Sequence, residues 1–381
     1  MSYLKEYFLL DPDKTYLNHG SFGATPEPIF RAYQNWQREL EYQPVEFLDR
    51  RFAERMTMAR TALADYLDIR RDDLVYVTNA TVGVNIVARS LDLRPGDEVL
   101  TTNHEYGACD RTWQFLSQKQ GFSYIKQPIS IPLDTADDFI EQLWQGVTER
   151  TRVIFLSHIT SPTAMIFPVA EVCHRAREQG ILTIIDGAHA PGQIPLDLEE
   201  TGADFYTGNL HKWLCAPKGS GFLYARSEVQ NLLEPLVVSW GWKSEKPSPS
   251  QFVDHHEWQG TRDPAAFLSV PAAIEFQKEH EWDNVRAECH ALAIEAEARI
   301  RALTGLPSLY SSDAWFAQMV TAELPMETDI VTLKARTYDE FRVEVPLIEW
   351  NGKKLIRISV QGYNTQKDIN HLIEALENIL G

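Results

Sequence analysis

A β-rich apolar run, Ile181-Leu182-Thr183-Ile184-Ile185, ends on the carboxylate of Asp186 and is followed by Gly187-Ala188-His189. Further on, the apolar-aromatic run Asp204-Phe205-Tyr206-Thr207-Gly208 leads into Asn209-Leu210-His211-Lys212-Trp213, an amine beside an imidazole. A carboxylate and an amine delivered to neighbouring strand ends are what pyridoxal phosphate requires. The lysine holds the aldehyde as a Schiff base, and the carboxylate keeps the pyridine nitrogen protonated so that the ring accepts electrons. On these two residues alone, an N-cap or an ion-pair partner would explain the aspartate as well.

Other segments weigh on that choice. Thr78-Asn79-Ala80-Thr81-Val82-Gly83 joins a strand to a helix, and a helix N-terminus offers unpaired N–H groups to an anion. Thr81 adds a hydroxyl; in isolation it reads equally well as a plain N-cap. His104 follows the next strand and is expected to lie over a planar ring, the alternative being a loop histidine bonded by Asn103 or Glu105. His189 would bond a phenolic oxygen or cap the following turn. The run Asp254-His255-His256-Glu257 invites a metal reading, but adjacent histidines point apart in extended chain and no HExxH motif accompanies them. A serine hydrolase reading lacks the GxSxG elbow.

The elements that must position these residues alternate. Strands are expected at 74–78, 98–102, 123–126, 152–157, 181–186 and 221–225, with helical spacing at 81–92, 108–120, 137–146 and 169–180 between them. Such alternation implies an α/β fold with a mostly parallel sheet, whose functional residues gather at strand C-termini. From 240 to 264 the chain is polar, Trp-rich and aperiodic. Helical patterns at 265–280 and 284–303, short strands and a last helix at 367–380 then read as a smaller α+β unit. The boundaries expected are 15–262 for the large domain and 263–381 for the small one, with residues 1–14 packing on the latter.

The 381 residues carry a net charge of −18 and no basic stripe, which argues against a nucleic-acid partner. The first twelve residues include Lys5, Glu6 and Asp11 and do not read as a secretory signal, and no stretch nears the ~20 apolar residues of a membrane span. Cys109, Cys173, Cys215 and Cys289 are scattered and read as buried small hydrophobes, in keeping with a cytoplasmic location.

Taken together, Tyr16-Leu17-Asn18-His19-Gly20-Ser21-Phe22-Gly23, Asp186-Gly187-Ala188-His189, His211-Lys212, Gly219-Ser220-Gly221-Phe222-Leu223, Arg357-Ile358-Ser359 and Gly362-Tyr363-Asn364-Thr365 resemble the class V aminotransferases, over Leu17 to Leu372 and in family order. Asn18–Ser21, His158–Thr163 and Asn209–Trp213 look most like the isopenicillin N epimerase branch, which also holds carbon–sulfur lyases. The resemblance implies the fold type I architecture of pyridoxal phosphate enzymes, with a mostly parallel seven-stranded sheet and a smaller C-terminal domain. By motif it makes Lys212 the cofactor lysine and general base, Asp186 the pyridinium partner, His189 the neighbour of the phenolic oxygen and His104 the residue stacked on the ring. The phosphate would be held by the Asn79–Val82 turn (Asn79, Ala80, Thr81, Val82), by His211 and, in place of a small hydroxyl residue, by Asn209. Arg357 would clamp the substrate carboxylate, with Asn18, Ser161 and Tyr106 beside the substrate, and Thr261 would reach the neighbouring subunit's phosphate in a homodimer. His104 or Tyr106 would be the acid on the second face if the reaction is an epimerisation; β-elimination and transamination remain open outcomes, as does a silent binding module. Cysteine desulfurases carry a mobile cysteine shortly before the carboxylate-binding arginine; here Arg342-Val343-Glu344-Val345-Pro346 stands in that stretch, which points away from persulfide chemistry.

Overall fold

In the computed structural model, which describes residues 4–381, seven strands form the large sheet: β1 (Leu74–Val77), β2 (Glu98–Thr102), β3 (Ser123–Gln127), β4 (Thr151–Ser157), β5 (Leu182–Gly187), β6 (Phe205–Asn209) and β7 (Gly221–Ala225). Their order is β1-β7-β6-β5-β4-β2-β3, and only β7 runs against its neighbours. The central strands are apolar on both sides because both faces are covered, whereas the edge strand β3, Ser123-Tyr124-Ile125-Lys126-Gln127, stays partly exposed. Val153, Phe155, Ile184 and Phe205 enter one core, while Ile154, Leu156, Ile185 and Tyr206 enter the other. Period-two alternation thus fills two cores rather than one core and a wet face. Each such side chain contributes about 1.5–3 kcal/mol by leaving water.

The helix Ala80–Ser90 lies on the sheet through Val84, Val87 and Ala88, spaced three and four apart. Gly83 lets it approach: a Cβ there would stand 2.1 Å from Thr207 Oγ1 on β6. Asn79 is the N-cap, its side chain accepting from Val82 N–H, so Thr81 is an internal first-turn residue and not the cap.

Three departures from the sequence reading concern elements. The run 205–209 is a full strand, where sequence pattern had marked only an apolar-aromatic approach to Lys212. The polar segment 240–264 contains a helix, Gln251–Glu257, capped by Ser250 Oγ on Val253 N–H. The expected helix at 265–280 is two, Ala265–Leu268 and Val270–Glu279, broken at Ser269-Val270-Pro271 because the proline has no N–H to continue the ladder.

C-terminal to these lie the long helix Trp282–Thr304 and an antiparallel sheet of β8 (Met319–Leu324), β9 (Leu347–Trp350) and β10 (Lys353–Ser359), with β10 central. Asn351 (φ +47°) and Gly352 (φ +76°) make the two-residue turn between β9 and β10, the conformation asparagine and glycine tolerate best. That turn sets the register of β9 against β10, with Trp350 opposite Lys353 and Leu347 opposite Ile356, and on its other edge β10 pairs Arg357 with Thr321 of β8. Near the N-terminus, Tyr7 packs edge-on to Phe276 and Phe8 edge-on to Tyr363, while residues 1–3 of the expected packing segment lie outside the described residues. No helix among the described residues is long and apolar enough to cross a membrane.

Candidate active site

The C-terminal ends of β4, β5 and β6, the start of the helix Ala80–Ser90 and the turn after β2 converge on one cavity of about 240 Å³. Asp186, at the end of β5, stands level with Ser157 on β4 and Thr207 on β6. Its Oδ1 accepts from Ala188 N–H at 3.0 Å and its Oδ2 from the Cys109 thiol at 3.3 Å. Burial raises its carboxyl above the usual range, with the Ala188 and Cys109 hydrogen bonds opposing. A buried carboxylate facing a cavity is relieved by a cationic group brought into it.

Lys212 follows β6. Its Nζ is 3.1 Å from His189 Nε2, and Trp213 Nε1 donates to His189 Nδ1 at 3.2 Å. The indole donation leaves Nδ1 as acceptor and puts the imidazole proton on Nε2, facing Lys212. Burial, then the charge of Lys212, keeps His189 neutral. Burial and the nearby Arg357 guanidinium lower Lys212 to about 7, so a large share of its amine is unprotonated and nucleophilic at neutral pH.

The other end of the cavity is built for an anion. Thr81, at the second helical position, has an N–H with no intrahelical carbonyl to meet, and its hydroxyl shares the lining with Asn79 and Ala80. Asn209 Oδ1 is spent on Ala80 N–H at 2.8 Å, which leaves its Nδ2 as the available donor. His211 Nδ1 faces Ser220 O at 3.2 Å, and burial depresses its imidazole to about 4. An anion at its Nε2 would favour the imidazolium and raise that value.

Arg357, on β10, is buried. It donates from Nη1 to Ser161 O (2.7 Å) and Oγ (3.1 Å) and from Nη2 to Ser21 Oγ (3.2 Å), while its Nε is buried without a partner. No carboxylate of a described residue pairs with it. Burial lowers it only to about 10, so it stays cationic. A buried, unpaired guanidinium beside a cavity is costly unless a ligand supplies the anion.

Ten of the residues singled out in the sequence therefore line one cavity: Asn79, Ala80, Thr81, Tyr106, Ser161, Asp186, His189, Asn209, His211 and Lys212. Arg357 reaches it through Ser21 and Ser161. Four do not line it. His104 is buried with Nδ1 on Thr163 Oγ1 (2.8 Å) and Nε2 on Ile129 O (3.1 Å), and its ring meets Trp350 at 4.4 Å. It is therefore not over the cavity. The first aromatic wall on that side is Tyr106, 47% exposed, because the turn after β2 sends residue 104 inward and residue 106 out. Val82 spends its N–H on the Asn79 side chain. Asn18 binds Glu344 Oε1 at 2.8 Å and accepts from Ser21 Oγ at 2.5 Å, standing behind Ser21. Thr261 lines a separate surface hollow with Val45, Leu48, Trp240 and Trp258.

Ser21, Phe22, Ser157, Ile159 and Ala188 also line the cavity and were not singled out. Ser21 and Phe22 sit in the 16–23 motif, and Ser157 and Ala188 follow from strand ends, so position relative to a strand end was the usable signal. His256 of the Asp254–Glu257 run is buried against Phe252, and no group of three metal-ligating side chains converges among the described residues.

A sheet of this order with an amine, a carboxylate and an anion corner at its strand ends defines a fold type I pyridoxal phosphate enzyme, and the residues present fit that cofactor: donors for a phosphate, a carboxylate for a cation, a neutral amine for a carbonyl. The family model of the class V aminotransferases matches residues 16–324, and the chain belongs to that pyridoxal phosphate-dependent family. Among curated proteins it is 34% identical to an isopenicillin N epimerase of Amycolatopsis lactamdurans, over 98% of this chain and 97% of that one. It is 25% identical to a hercynylcysteine sulfoxide lyase of Schizosaccharomyces pombe, over 98% and 96%. The fold is shared with a solved cystine C–S lyase in complex with cysteine persulfide, at a TM-score of 0.83 and 23% identity over 96% of this chain and 98% of that one.

Proposed function

We propose that this enzyme acts at Cα of an amino-acid substrate and inverts that centre, as an epimerase of the isopenicillin N epimerase type. The observation that carries the amino-acid part is Arg357: buried, cationic and unpaired, it calls for a carboxylate, and it lies within the electrostatic reach of the Lys212 amine. The planar fork of the guanidinium, steadied on Ser161 and Ser21, holds a carboxylate in two contacts and so fixes the orientation of Cα. Pyridoxal phosphate, when bound, supplies the electron sink that makes the Cα proton acidic. Asp186 keeps a proton on the ring nitrogen, His189 offers its Nε2–H to an oxygen beside Lys212, and Thr81, Asn209 and His211 receive the phosphate. Lys212, with its charge disfavoured by burial, takes the Cα proton.

Inversion needs a second proton donor. Lys212 arrives from β6 on one side of Asp186, and Tyr106 arrives from the turn after β2, beyond β4, on the other. With His104 sealed away, the Tyr106 phenol is the remaining candidate to return a proton from the side that Lys212 does not serve. The 34% identity to an isopenicillin N epimerase favours this outcome. Elimination of a β-sulfur group is the second reading, supported by the likeness to the sulfoxide lyase.

The site is completed in a homodimer. The hollow at Thr261, of about 510 Å³, is apolar and rimmed by Trp240 at 82% exposure, a surface suited to a second copy that would bring Thr261 to the neighbouring phosphate corner. Incubating the loaded enzyme with L- and D-amino acids and cysteine conjugates in heavy water tests the reaction. Deuterium at Cα with both enantiomers formed is the expected result; pyruvate and ammonia from the conjugates, without inversion of any amino acid, would favour the lyase.

A further inference from the structure

Four cysteines are buried, and one touches the catalytic carboxylate. Cys109 lies in the first turn of the helix Gly107–Gln120 with its Sγ 3.3 Å from Asp186 Oδ2, and its N–H bonds Tyr106 O at 2.9 Å. It packs in the core shared by Val75, Phe155 and Ile184, with the carboxylates of Glu105 and Asp110 also in electrostatic reach. We propose that Cys109 is a positioning residue for Asp186. Its S–H fixes the Oδ2 side of the carboxylate while Ala188 N–H fixes Oδ1, and the same contact ties the Tyr106 wall to the end of β5. The inference rests on the reading that Asp186 meets the cofactor's ring nitrogen.

Three features support it. The two donors approach different oxygens, so together they set the rotation of the carboxylate, which a single contact would leave loose. Burial, and then the charge of Asp186, pushes the thiol well up, so the proton stays on sulfur and the group acts as a donor and not as a nucleophile. Glu105, four residues earlier, accepts from Ser157 N–H (2.8 Å) and Oγ (2.7 Å) and from Thr102 Oγ1 (2.7 Å). The segment 105–109 is thereby fastened to β4 and β5 at both ends, with Tyr106 between the fastenings.

The test uses the full chain loaded with pyridoxal phosphate. In infrared spectra the S–H stretch that disappears in Cys109→Ser should lie at lower frequency than those of non-bonded thiols. Cofactor affinity, measured by equilibrium dialysis, should be about three- to tenfold weaker in Cys109→Ala and within about twofold of the parent in Cys109→Ser, which keeps a donor. A Cys109 band at the non-bonded frequency, or equal losses in Ala and Ser, would overturn the proposal. If the Ala variant does not fold, the band decides alone. An Asp186→Asn enzyme that holds the cofactor as tightly as the parent would instead remove the reading on which the inference stands, whatever the thiol band shows.

Discussion

At the residue scale, the site works by removing compensation. Arg357 and Asp186 are buried and the Lys212 amine is desolvated, yet among the described residues none forms an ion pair with another, so each is left to a ligand of the opposite character. The consequence for Lys212 is measurable. Because burial lowers its amine to about 7, the reactive unprotonated form grows as pH rises through that value and is complete above it. The rate at which cofactor-free protein forms a borohydride-trappable link with pyridoxal phosphate should therefore rise from pH 6 to 8 around a midpoint near 7 and then level off. A midpoint near the ordinary lysine value of about 10.4 would show that the amine is not desolvated. Part of this was legible in the chain: Asp186 and Lys212 stand after apolar runs. On those two residues alone an N-cap or ion-pair role explains the aspartate as well, and the other motifs tip the reading. His104 was not legible in this way. Its side was decided by Thr163 and by the Trp350 ring, hundreds of positions away in part, and by Thr102 Oγ1 accepting its N–H at 3.1 Å, none of which periodicity encodes.

At the element scale, the anion corner exists because one helix lies very close to one strand. Gly83 permits that approach, and a methyl group there meets Thr207 Oγ1 at 2.1 Å and its Cβ at 2.8 Å. Gly83→Ala should cost about 1–3 kcal/mol of stability, the scale of overpacking, and weaken cofactor retention by lifting the helix start. Denaturant titration checks the first effect, and Thr207→Ala added to it should recover part of the loss; no loss would mean the helix is free to slide. Strands such as Glu98–Thr102 and Gly221–Ala225 were readable because buried β-branched and aromatic residues fill them. Phe205–Asn209 ends in Thr207-Gly208-Asn209, a sequence with turn character, and becomes a strand only because β5 and β7 flank it. Likewise the helices Glu27–Tyr42 and Phe52–Leu67 went unread ahead of the sheet.

At the scale of the whole molecule, two large exposed side chains, Val45 and Trp240, line the hollow that holds Thr261. Tyr42 and Val238, near them in sequence, are likewise more than half exposed. Light scattering at assay concentration should find a dimer, with an interface above about 2,000 Å² in total as obligate pairs bury. An active monomer would contradict the assignment of Thr261. Replacing Trp240 by Asp should shift the protein toward monomer and lower cofactor retention together, since the two are one structure in this account.

The central claim is that Lys212 is the residue that holds the cofactor. Borohydride reduction of the loaded full-length protein, followed by peptide mass mapping, tests it in one step. The account predicts a single modified peptide carrying the reduced pyridoxyl group on Lys212, and none in Lys212→Ala, whose turnover should fall by at least about 10³-fold. A pyridoxyl group found on another lysine, such as Lys218, with Lys212 unmodified, would contradict it.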